Sequence, residues 1–367
     1  MTLLAMRYRV PIVAGLVLTL LPRTPAKEIV PLTAMRVARM AHTATPLADN
    51  RVLVAGGFTD PRHASASAEL FDARSARLVA LPPMVTLRHS HTATRLPDGK
   101  VLLIGGYVAG NSVTASAELF DPVTQRFTPT GRLGAARAGH VAVPLANGKV
   151  LVAGGVGPNW TFLKSAELYD PVSGRFTPTG DMTVARESHV AVRLLDGGVL
   201  IAGGHRDRRA AITIYASAER YDVTTGRFRA VGDMTVHRHK HDGVLLADGR
   251  VLITGGSDER DDRGMYDSSE LFDPHRGTFA AGPRLIHRRY KHAGSSVLLP
   301  SGEVLIAGGA PEAERFLPTR GEFAPVRSEG SLSGQFSAVA TLGDGGVLIT
   351  GGYGLDRGPQ ATVWKYR

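Results

Sequence analysis

A Gly-Gly pair recurs seven times along this chain, each time at the end of a short apolar run such as VLVAGG or VLITGG. The pairs are residues 56–57, 105–106, 154–155, 203–204, 255–256, 308–309 and 351–352. Because the intervals between them are 43 to 53 residues, we infer that one supersecondary unit has been copied seven times with changes in loop length. Stacking such units buries faces that a single unit would leave exposed. We therefore predict one repeat domain over residues 27–367.

Each unit has the pattern of four short antiparallel strands. In residues 137–180, two apolar segments flank Asn147-Gly148, a strong signal for a two-residue hairpin turn, and two further strands flank the turn at 171–174. In six units a large side chain of the third strand is followed seven residues later by another, and we expect these pairs to seal neighbouring sheets. The pairs are Phe71/Leu78, Phe120/Phe127, Tyr169/Phe176, Tyr221/Phe228, Phe272/Phe279 and Phe316/Phe323.

The Gly-Gly pair followed by two spaced large side chains resembles the kelch repeat, and the resemblance covers residues 27–367. It implies an all-β fold, a seven-bladed β-propeller of four-stranded antiparallel blades. It says less about function, because kelch propellers include sugar oxidases, epimerases, adhesion modules and protein-binding platforms. The copper site of the galactose-oxidase-like members needs a cross-linked tyrosine and cysteine, and this chain has no cysteine. We therefore expect no cofactor.

The seventh unit ends one strand short. Its last strand falls within residues 361–367, where we place Trp364 in the register of Phe71. Residues 28–31 match residues 126–129, so we predict that the N-terminal strand completes the last blade and closes the ring.

The first 26 residues lie outside the repeat. Arg7 and Arg9 precede an apolar stretch at residues 10–21, and Thr24-Pro25-Ala26 offers small residues for cleavage. The stretch is short for a membrane span. We interpret residues 1–26 as a cleaved signal peptide of a secreted or periplasmic monomer. The alternative is an uncleaved membrane anchor at residues 10–21.

The formal net charge of +10 favours anionic partners, such as acidic glycans, phosphorylated polymers or membrane surfaces. The non-functional alternative is that the arginine content reflects genomic base composition. The arginines are dispersed through every unit and form no basic helix or aromatic-interleaved patch, so we do not expect nucleic acid as a partner.

Strand direction predicts that the loops between strands 2 and 3 share one rim with the connections from strand 4 to the next unit. The opposite rim would hold only tight turns. Variable loops on a rigid scaffold are where binding usually occurs, so the first rim is the expected binding face.

The motif Arg-x-x-His occurs six times on that rim, each time where the chain enters the innermost strand of a unit. The six copies are Arg39/His42, Arg88/His91, Arg137/His140, Arg186/His189, Arg238/His241 and Arg289/His292. The seventh unit has Ser333 and Phe336 instead. If these side chains encircled the channel mouth, they would form an anion funnel. The candidate ligand-binding residues are Arg39, Arg88, Arg137, Arg186, Arg238, His241, Arg289, Tyr290 and His292.

A structural role for the same motif remains open. A glutamate stands two residues before the third-strand aromatic in six units, and a repeated Arg–Glu pairing would explain both sets. These residues are Glu69, Glu118, Glu167, Glu219, Glu270 and Glu314.

Two local clusters break the symmetry of the repeat. Residues 237–241, HRHKH, could place three imidazoles together, but the interspersed cations oppose a metal ion, so we expect no metal site. Residues 258–262, DERDD, lack the ligand spacing of a calcium loop and read as a solvated turn.

Two functions remain open. The first is an exported recognition module, without catalytic activity, that binds a carbohydrate or protein partner of anionic character on the loop rim. The alternative is a sugar-acting enzyme, similar to a mutarotase, epimerase or lyase, with its site at the channel mouth. Arg238, His241, Arg289, Tyr290 and His292 are its candidate residues.

Overall fold

The computed structural model describes residues 28–60, 63–332, 334–354 and 358–367. It is a β-propeller of seven four-stranded antiparallel sheets, as the repeat predicts. The proposed signal peptide lies outside the described residues. In the part of the chain that the structure covers, no helix has the length and apolar character needed to cross a membrane.

The strands are short and occupy equivalent places in every blade. The innermost strands are Thr43–Pro46, Thr92–Arg95, Val141–Pro144, Val190–Arg193, Asp242–Leu245, Ser296–Leu298 and Ala338–Thr341. The second strands are Arg51–Ala55, Val101–Ile104, Val150–Ala153, Val199–Ala202, Val251–Thr254, Val304–Ile306 and Val347–Thr350. The third strands are Ala68–Asp72, Ala117–Asp121, Ala166–Asp170, Ala218–Asp222, Ser269–Asp273, Glu314–Leu317 and Val363–Tyr366. The outermost strands are Arg77–Ala80, Arg126–Pro129, Arg175–Pro178, Arg227–Ala230, Thr278–Ala281, Glu322–Pro325 and Ile29–Pro31.

The loops between strands 2 and 3 carry the remaining regular structure. Two of them contain two-stranded ribbons, Phe58–Asp60 with His63–Ala64 and His205–Arg206 with Thr213–Ile214. Four contain one turn of 3₁₀-helix: Ala109–Asn111, Pro158–Trp160, Arg209–Ala211 and Asp261–Arg263.

The core lies between blades. The second strands are almost entirely apolar and buried, as strands covered on both faces must be, and their polar residues are Arg51, Thr254 and Thr350. The outer aromatic pairs lie directly opposite each other in register, as Phe120 does with Phe127, with ring centroids 4.9 Å apart. The expected sealing role of these pairs is confirmed.

The N-terminal strand closes the ring. Ile29, Val30 and Pro31 pair with Tyr366, Lys365 and Trp364, and Ile29 is completely buried. One register prediction was wrong. Tyr366, opposite Val347, takes the place that Phe71 holds opposite Val52, whereas Trp364 lies opposite Ile349. The third strand of the seventh blade is therefore shifted by two residues from the predicted alignment.

The Gly-Gly pairs are required where neighbouring blades meet. Gly105 has φ +59°, and a Cβ there would lie 2.4 Å from the carbonyl oxygen of Arg137 in the next blade. Gly106 has φ +96°, and its Cβ would lie 2.6 Å from the carbonyl oxygen of His89. Only glycine combines this backbone conformation with such close approach.

Candidate ligand site at the channel mouth

The six repeated arginines are completely buried, at 0% exposure, and each guanidinium bonds a glutamate and backbone carbonyls. The Arg137 guanidinium donates to the carbonyls of Gly154 and Ser165, both at 2.9 Å, and to Glu167 Oε1 at 2.9 Å. Glu167 also accepts from the backbone N–H of Gly134 at 2.8 Å. These hydrogen bonds tie the segment that enters a blade to the second and third strands of the same blade. The arginines thus have the structural pairing that the sequence left open, and their side chains do not encircle the channel mouth.

The repeated histidines are buried beside them. His140 Nε2 lies 2.9 Å from the hydroxyl of Thr92 in the preceding blade, and His42 Nε2 lies 2.9 Å from the hydroxyl of Thr350. Burial, followed by repulsion from the neighbouring arginines, lowers the pKa of His140 and of His292 to about 3. These imidazoles are therefore neutral at physiological pH and add no positive charge to the mouth.

The seventh unit carries its substitutions one residue later than the sequence alignment predicted. In the other blades the second glycine of the pair donates to the carbonyl of the repeated arginine, as Gly57 does to Arg88 at 2.9 Å. The equivalent bond runs from Gly309 to Gly334, at 2.6 Å, so Gly334 occupies the arginine position and Ser337 the histidine position. Ser333, named in the prediction, lies outside the described residues.

The residue just before each repeated histidine, or before Ser337 in the seventh unit, lies at the channel mouth. These seven residues are Ala41, Ser90, Gly139, Ser188, Lys240, Lys291 and Phe336. All have positive φ, between 49° and 61°. The backbone N–H of each donates to the carbonyl of its counterpart in the preceding blade, at 2.8 to 3.4 Å, and the first donates to the last. The result is a closed backbone ring of seven hydrogen bonds, which we call the mouth ring.

An open cavity of about 570 Å³ lies over the mouth ring, on the rim that carries the 2–3 loops. All seven mouth-ring residues line it. The other lining residues are His42, Phe58, His89, His91, Tyr107, His140, Val141, Trp160, Glu187, His189, Arg208 and Ala293. None of the nine candidate ligand-binding residues is among them.

One side of the cavity is an aromatic wall. Phe58 stacks on His89 with ring centroids 3.4 Å apart, and His89 stacks on Tyr107 at 5.0 Å. Trp160 continues the row, with its ring centroid 5.9 Å from that of Tyr107. The Arg208 guanidinium lies 3.3 Å from the centre of the Trp160 ring, a cation–π contact at the outer end of the wall.

The opposite side carries two lysines from the mouth ring, held in the same way in adjacent blades. Lys240 Nζ lies 2.8 Å from the hydroxyl of Tyr290 and 3.3 Å from Asp261 Oδ1. Lys291 Nζ lies 2.8 Å from the hydroxyl of Tyr353 and 3.6 Å from Asp262 Oδ1. Burial lowers the pKa of Lys240, and Asp261 opposes this shift. The two ammonium groups are therefore presented to the cavity by a second layer of phenols and carboxylates.

Both carboxylates come from the acidic 2–3 loop of the fifth unit. Asp261 begins a 3₁₀ turn and has φ +53°, and its carboxylate also accepts from the Tyr290 hydroxyl. The loop was predicted to be a solvated turn, but it reaches the channel mouth and partly neutralises the lysines. Tyr290, one of the nine candidates, belongs to this second layer and is completely buried.

Glu187 is a buried carboxyl group in the cavity wall. Its side chain is 10% exposed, and its Oε2 lies 3.7 Å from Nε2 of His205. Burial raises the pKa of Glu187 to about 7, and Arg208 and Lys240 oppose the shift. Burial, reinforced by His239 and Lys240, lowers the pKa of His205 to about 2, so this imidazole is neutral. A Cβ at Gly139 would lie 2.5 Å from Oε1 of Glu187, so the glycine makes room for this carboxyl group.

The residues that line the mouth were missed because attention fell on the repeated arginine and histidine. The two positions between them vary from unit to unit: His-Ser, Ala-Gly, Glu-Ser, His-Lys and Tyr-Lys in units 2 to 6. Variation inside a constant frame is typical of loops that bind a specific ligand. That contrast within each motif was the available signal.

The donor set at the mouth does not fit a metal centre. In the described ranges, no group of three or more His, Cys, Asp or Glu side chains lies close enough to hold a metal ion. The two ammonium groups also repel a cation electrostatically. His237, His239 and His241 do not converge, because His237 is exposed and bonds the carbonyl of Ile214, whereas the other two are buried.

Comparison with known proteins identifies the repeat. Two kelch motif models match the chain, one at residues 137–183 and the other at residues 88–134. This chain carries kelch repeats on a seven-bladed β-propeller. None of the curated proteins matches it.

Solved structures share its fold. A fungal alcohol oxidase of the AA5 family, solved in complex with copper, has a TM-score of 0.75 at 15% identity, covering 93% of this chain and 76% of its own. YjhT has a TM-score of 0.63 at 14% identity, covering 80% of this chain and 99% of its own. At these identities the likeness shows the fold of this kelch propeller and not its activity.

Proposed function

We propose that this protein is an exported recognition module that binds an acidic carbohydrate at the channel mouth. One observation carries the proposal: a single open cavity joins a wall of stacked aromatic rings to two lysine ammonium groups. A pyranose offers apolar C–H faces to an aromatic ring and a carboxylate to an ammonium group. The arrangement matches both halves of an acidic sugar.

The cavity has the size and composition of a small-molecule site. At about 570 Å³ it lies within the range of roughly 300–1,000 Å³ that is usual for ligand pockets. The accessible aromatic surface of the wall is that of Phe58 and Trp160, since His89 and Tyr107 are buried behind it. Such surface is supplied at low entropic cost, because aromatic side chains have few rotatable bonds. The lysines supply orientation and charge selectivity. An incoming carboxylate would take over contacts that Asp261 and Asp262 now make.

Export belongs to the same proposal. The basic, apolar and small-residue segments of residues 1–26 have the order of a signal peptide, which would deliver the propeller to the periplasm or the medium. Extracellular and cell-wall polysaccharides, many of them acidic, are found there. An anchored form held by residues 10–21 would meet the same ligands.

The test is a glycan array that contains acidic and neutral sugars, probed with the wild-type protein and with Lys240→Met and Lys291→Met. We expect binding to acidic glycans that falls at least about tenfold in each variant, the loss of roughly one charge-assisted contact. Lys149→Met is the matched control, because Lys149 follows the Asn147-Gly148 turn on the opposite rim. Equal binding by the three variants, or preference for neutral glycans or for a protein partner, would contradict the proposal.

Glu187 favours a second candidate function, a sugar-acting enzyme that interconverts the anomers of its ligand. A carboxyl group with a pKa of about 7 can exchange a proton at physiological pH. The Glu187 carboxylate would take the proton of the anomeric hydroxyl as the bond between the anomeric carbon and the ring oxygen breaks. The Lys240 ammonium would protonate the ring oxygen, and closure on the other face would return both protons.

Saturation-transfer NMR between the anomers of a bound acidic sugar tests this candidate. Glu187→Gln should abolish the acceleration and retain binding. Acceleration that persists in the variant would remove Glu187 from the reaction. Absence of acceleration in the wild-type protein would leave recognition as the only function of the mouth.

A further inference from the structure

Trp160 separates the mouth cavity from a second cavity on its outer side. The second cavity has a volume of about 410 Å³ and is lined by Trp160, Phe162, Asp207, Arg208 and Ala211. Two of these residues, Trp160 and Arg208, also line the mouth. The two spaces therefore meet along the indole and the guanidinium stacked on it. We call the second space the side cleft.

The chain holds Trp160 in place at this junction. Asn159 and Trp160 both have positive φ, 53° and 59°, which is uncommon for residues other than glycine. The N–H of Gly157 donates to the carbonyl of Thr161 at 2.8 Å and closes the tip of the loop. At the base of the loop, Val156 and Ala138 exchange two backbone bonds of 2.8 and 2.9 Å. The indole remains 40% exposed although its backbone is fixed.

The charges of the side cleft match those of the mouth. Arg208 is exposed and lies where the two cavities join, so its guanidinium can contact a ligand that extends from one cavity into the other. The carboxylate of Asp207 lies 3.5 Å from Nε of Arg206, which offsets its charge. Phe162 adds an apolar surface and packs edge-on against His205 at 5.7 Å between ring centroids. The cleft thus continues the pairing of aromatic surface with a cation, through the shared Trp160 and Arg208 and the additional ring of Phe162.

We infer that the ligand is an acidic oligosaccharide, with one unit in the mouth and the next unit in the side cleft, beside Trp160 and Arg208. This inference rests on the proposed function, because it extends the same ligand by a unit. A second unit that is covalently tethered to the first binds at a high effective concentration. Affinity should therefore rise with chain length up to the number of units that the two cavities hold.

The experiment uses galacturonate and its linear dimer and trimer as probes, with dissociation constants measured by isothermal titration calorimetry. We expect the wild-type protein to bind the dimer at least about tenfold more tightly than the monomer. Ala211→Trp fills the side cleft from a residue that does not line the mouth. It should reduce dimer affinity to the monomer value and leave the monomer value within about twofold of wild type.

Ala109→Trp is the matched control, because Ala109 begins the corresponding 3₁₀ turn in the second blade and does not line the side cleft. It should leave the dimer preference intact. Loss of that preference in Ala109→Trp and not in Ala211→Trp would overturn the assignment to this cleft. Equal affinity for monomer, dimer and trimer would overturn the inference but not the proposed function. Failure of every galacturonate would overturn the inference, and tighter binding of triglutamate than of trigalacturonate would overturn both.

Discussion

The buried Arg–Glu pairs predict a specific response to Arg137→Met. Arg137 donates to Glu167, to two backbone carbonyls at 2.9 Å and to the Ser165 hydroxyl at 3.1 Å, and its side chain is completely buried. The substitution leaves Glu167 as an uncompensated buried charge, which typically costs about 3–5 kcal/mol. It also leaves the carbonyls of Gly154 and Ser165 with fewer donors, a loss in the same direction.

The assay is thermal unfolding by calorimetry. At about 2.1 cal/mol/K per residue, a domain of about 340 residues has an unfolding entropy of roughly 0.7 kcal/mol/K, so the loss should lower Tm by about 4–7 °C. The double variant Arg137→Met/Glu167→Gln should be less destabilised than the sum of the single variants, because no buried charge is then left alone. Binding of acidic glycans should be unchanged in the folded protein.

A different result would refute this reasoning. If Arg137→Met kept the wild-type Tm and lost binding of acidic ligands, the arginine would act at the mouth, as the anion-funnel hypothesis requires. Strict additivity of the two substitutions would show that Arg137 and Glu167 do not interact in solution.

Three further predictions concern single residues. Gly99→Ala should cost about 1–2 kcal/mol for its positive φ alone, whereas Gly105→Ala should cost more, because a Cβ there also meets Arg137; urea unfolding measures both. Ile29→Ala should cost about 2–5 kcal/mol in the same assay, because it empties a buried site at the closure of the ring. Burial raises the pKa of Glu187 to about 7 in the folded protein, against about 4.3 in the unfolded chain. Its contribution to the free energy of unfolding is therefore fully present below pH ~4.3 and is lost as the pH rises through 7, a change on the order of 3 kcal/mol. Glu187→Gln should therefore be more stable than wild type at pH 8 and no more stable at pH 4.

Each of these has an outcome that would contradict it. Equal destabilisation by the two glycine variants would mean that the next blade yields to a side chain at residue 105. An Ile29→Ala protein with wild-type stability would argue against closure by the N-terminal strand. A pH-independent difference between Glu187→Gln and wild type would show that the carboxyl group titrates normally.

The repeat made the architecture readable in advance, because each local signal occurs many times. Asn147-Gly148 alone predicts one hairpin, but equivalent turns in every unit, together with the spacing of Phe120 and Phe127, specify the blade. The closure by Ile29 was predictable for the same reason, since an unpaired last blade needs a fourth strand. The error at Trp364 arose in the most divergent unit, where the pattern offers two registers two residues apart.

The candidate site was harder to predict because repetition conceals it. A buried ion pair and a binding site would both explain a charged residue that recurs in six units. The sequence does not show which way the Arg137 side chain points. Lys240 and Lys291 face the cavity only because their backbone adopts positive φ. Asp261 and Asp262 reach these lysines only through the conformation of their loop. Glu187 gains its raised pKa from burial, which depends on the packing of neighbouring blades.

The mouth ring separates the width of the opening from its chemistry. Its seven links run through main-chain atoms only, each N–H pointing the same way around the axis, so the diameter depends on how many blades there are. A replacement of Ser90 or Ser188 alters what a ligand touches and leaves the aperture unchanged. Paralogues with the same number of blades could therefore diversify in specificity by exchanging the residues at these seven positions, without rebuilding the scaffold that carries them.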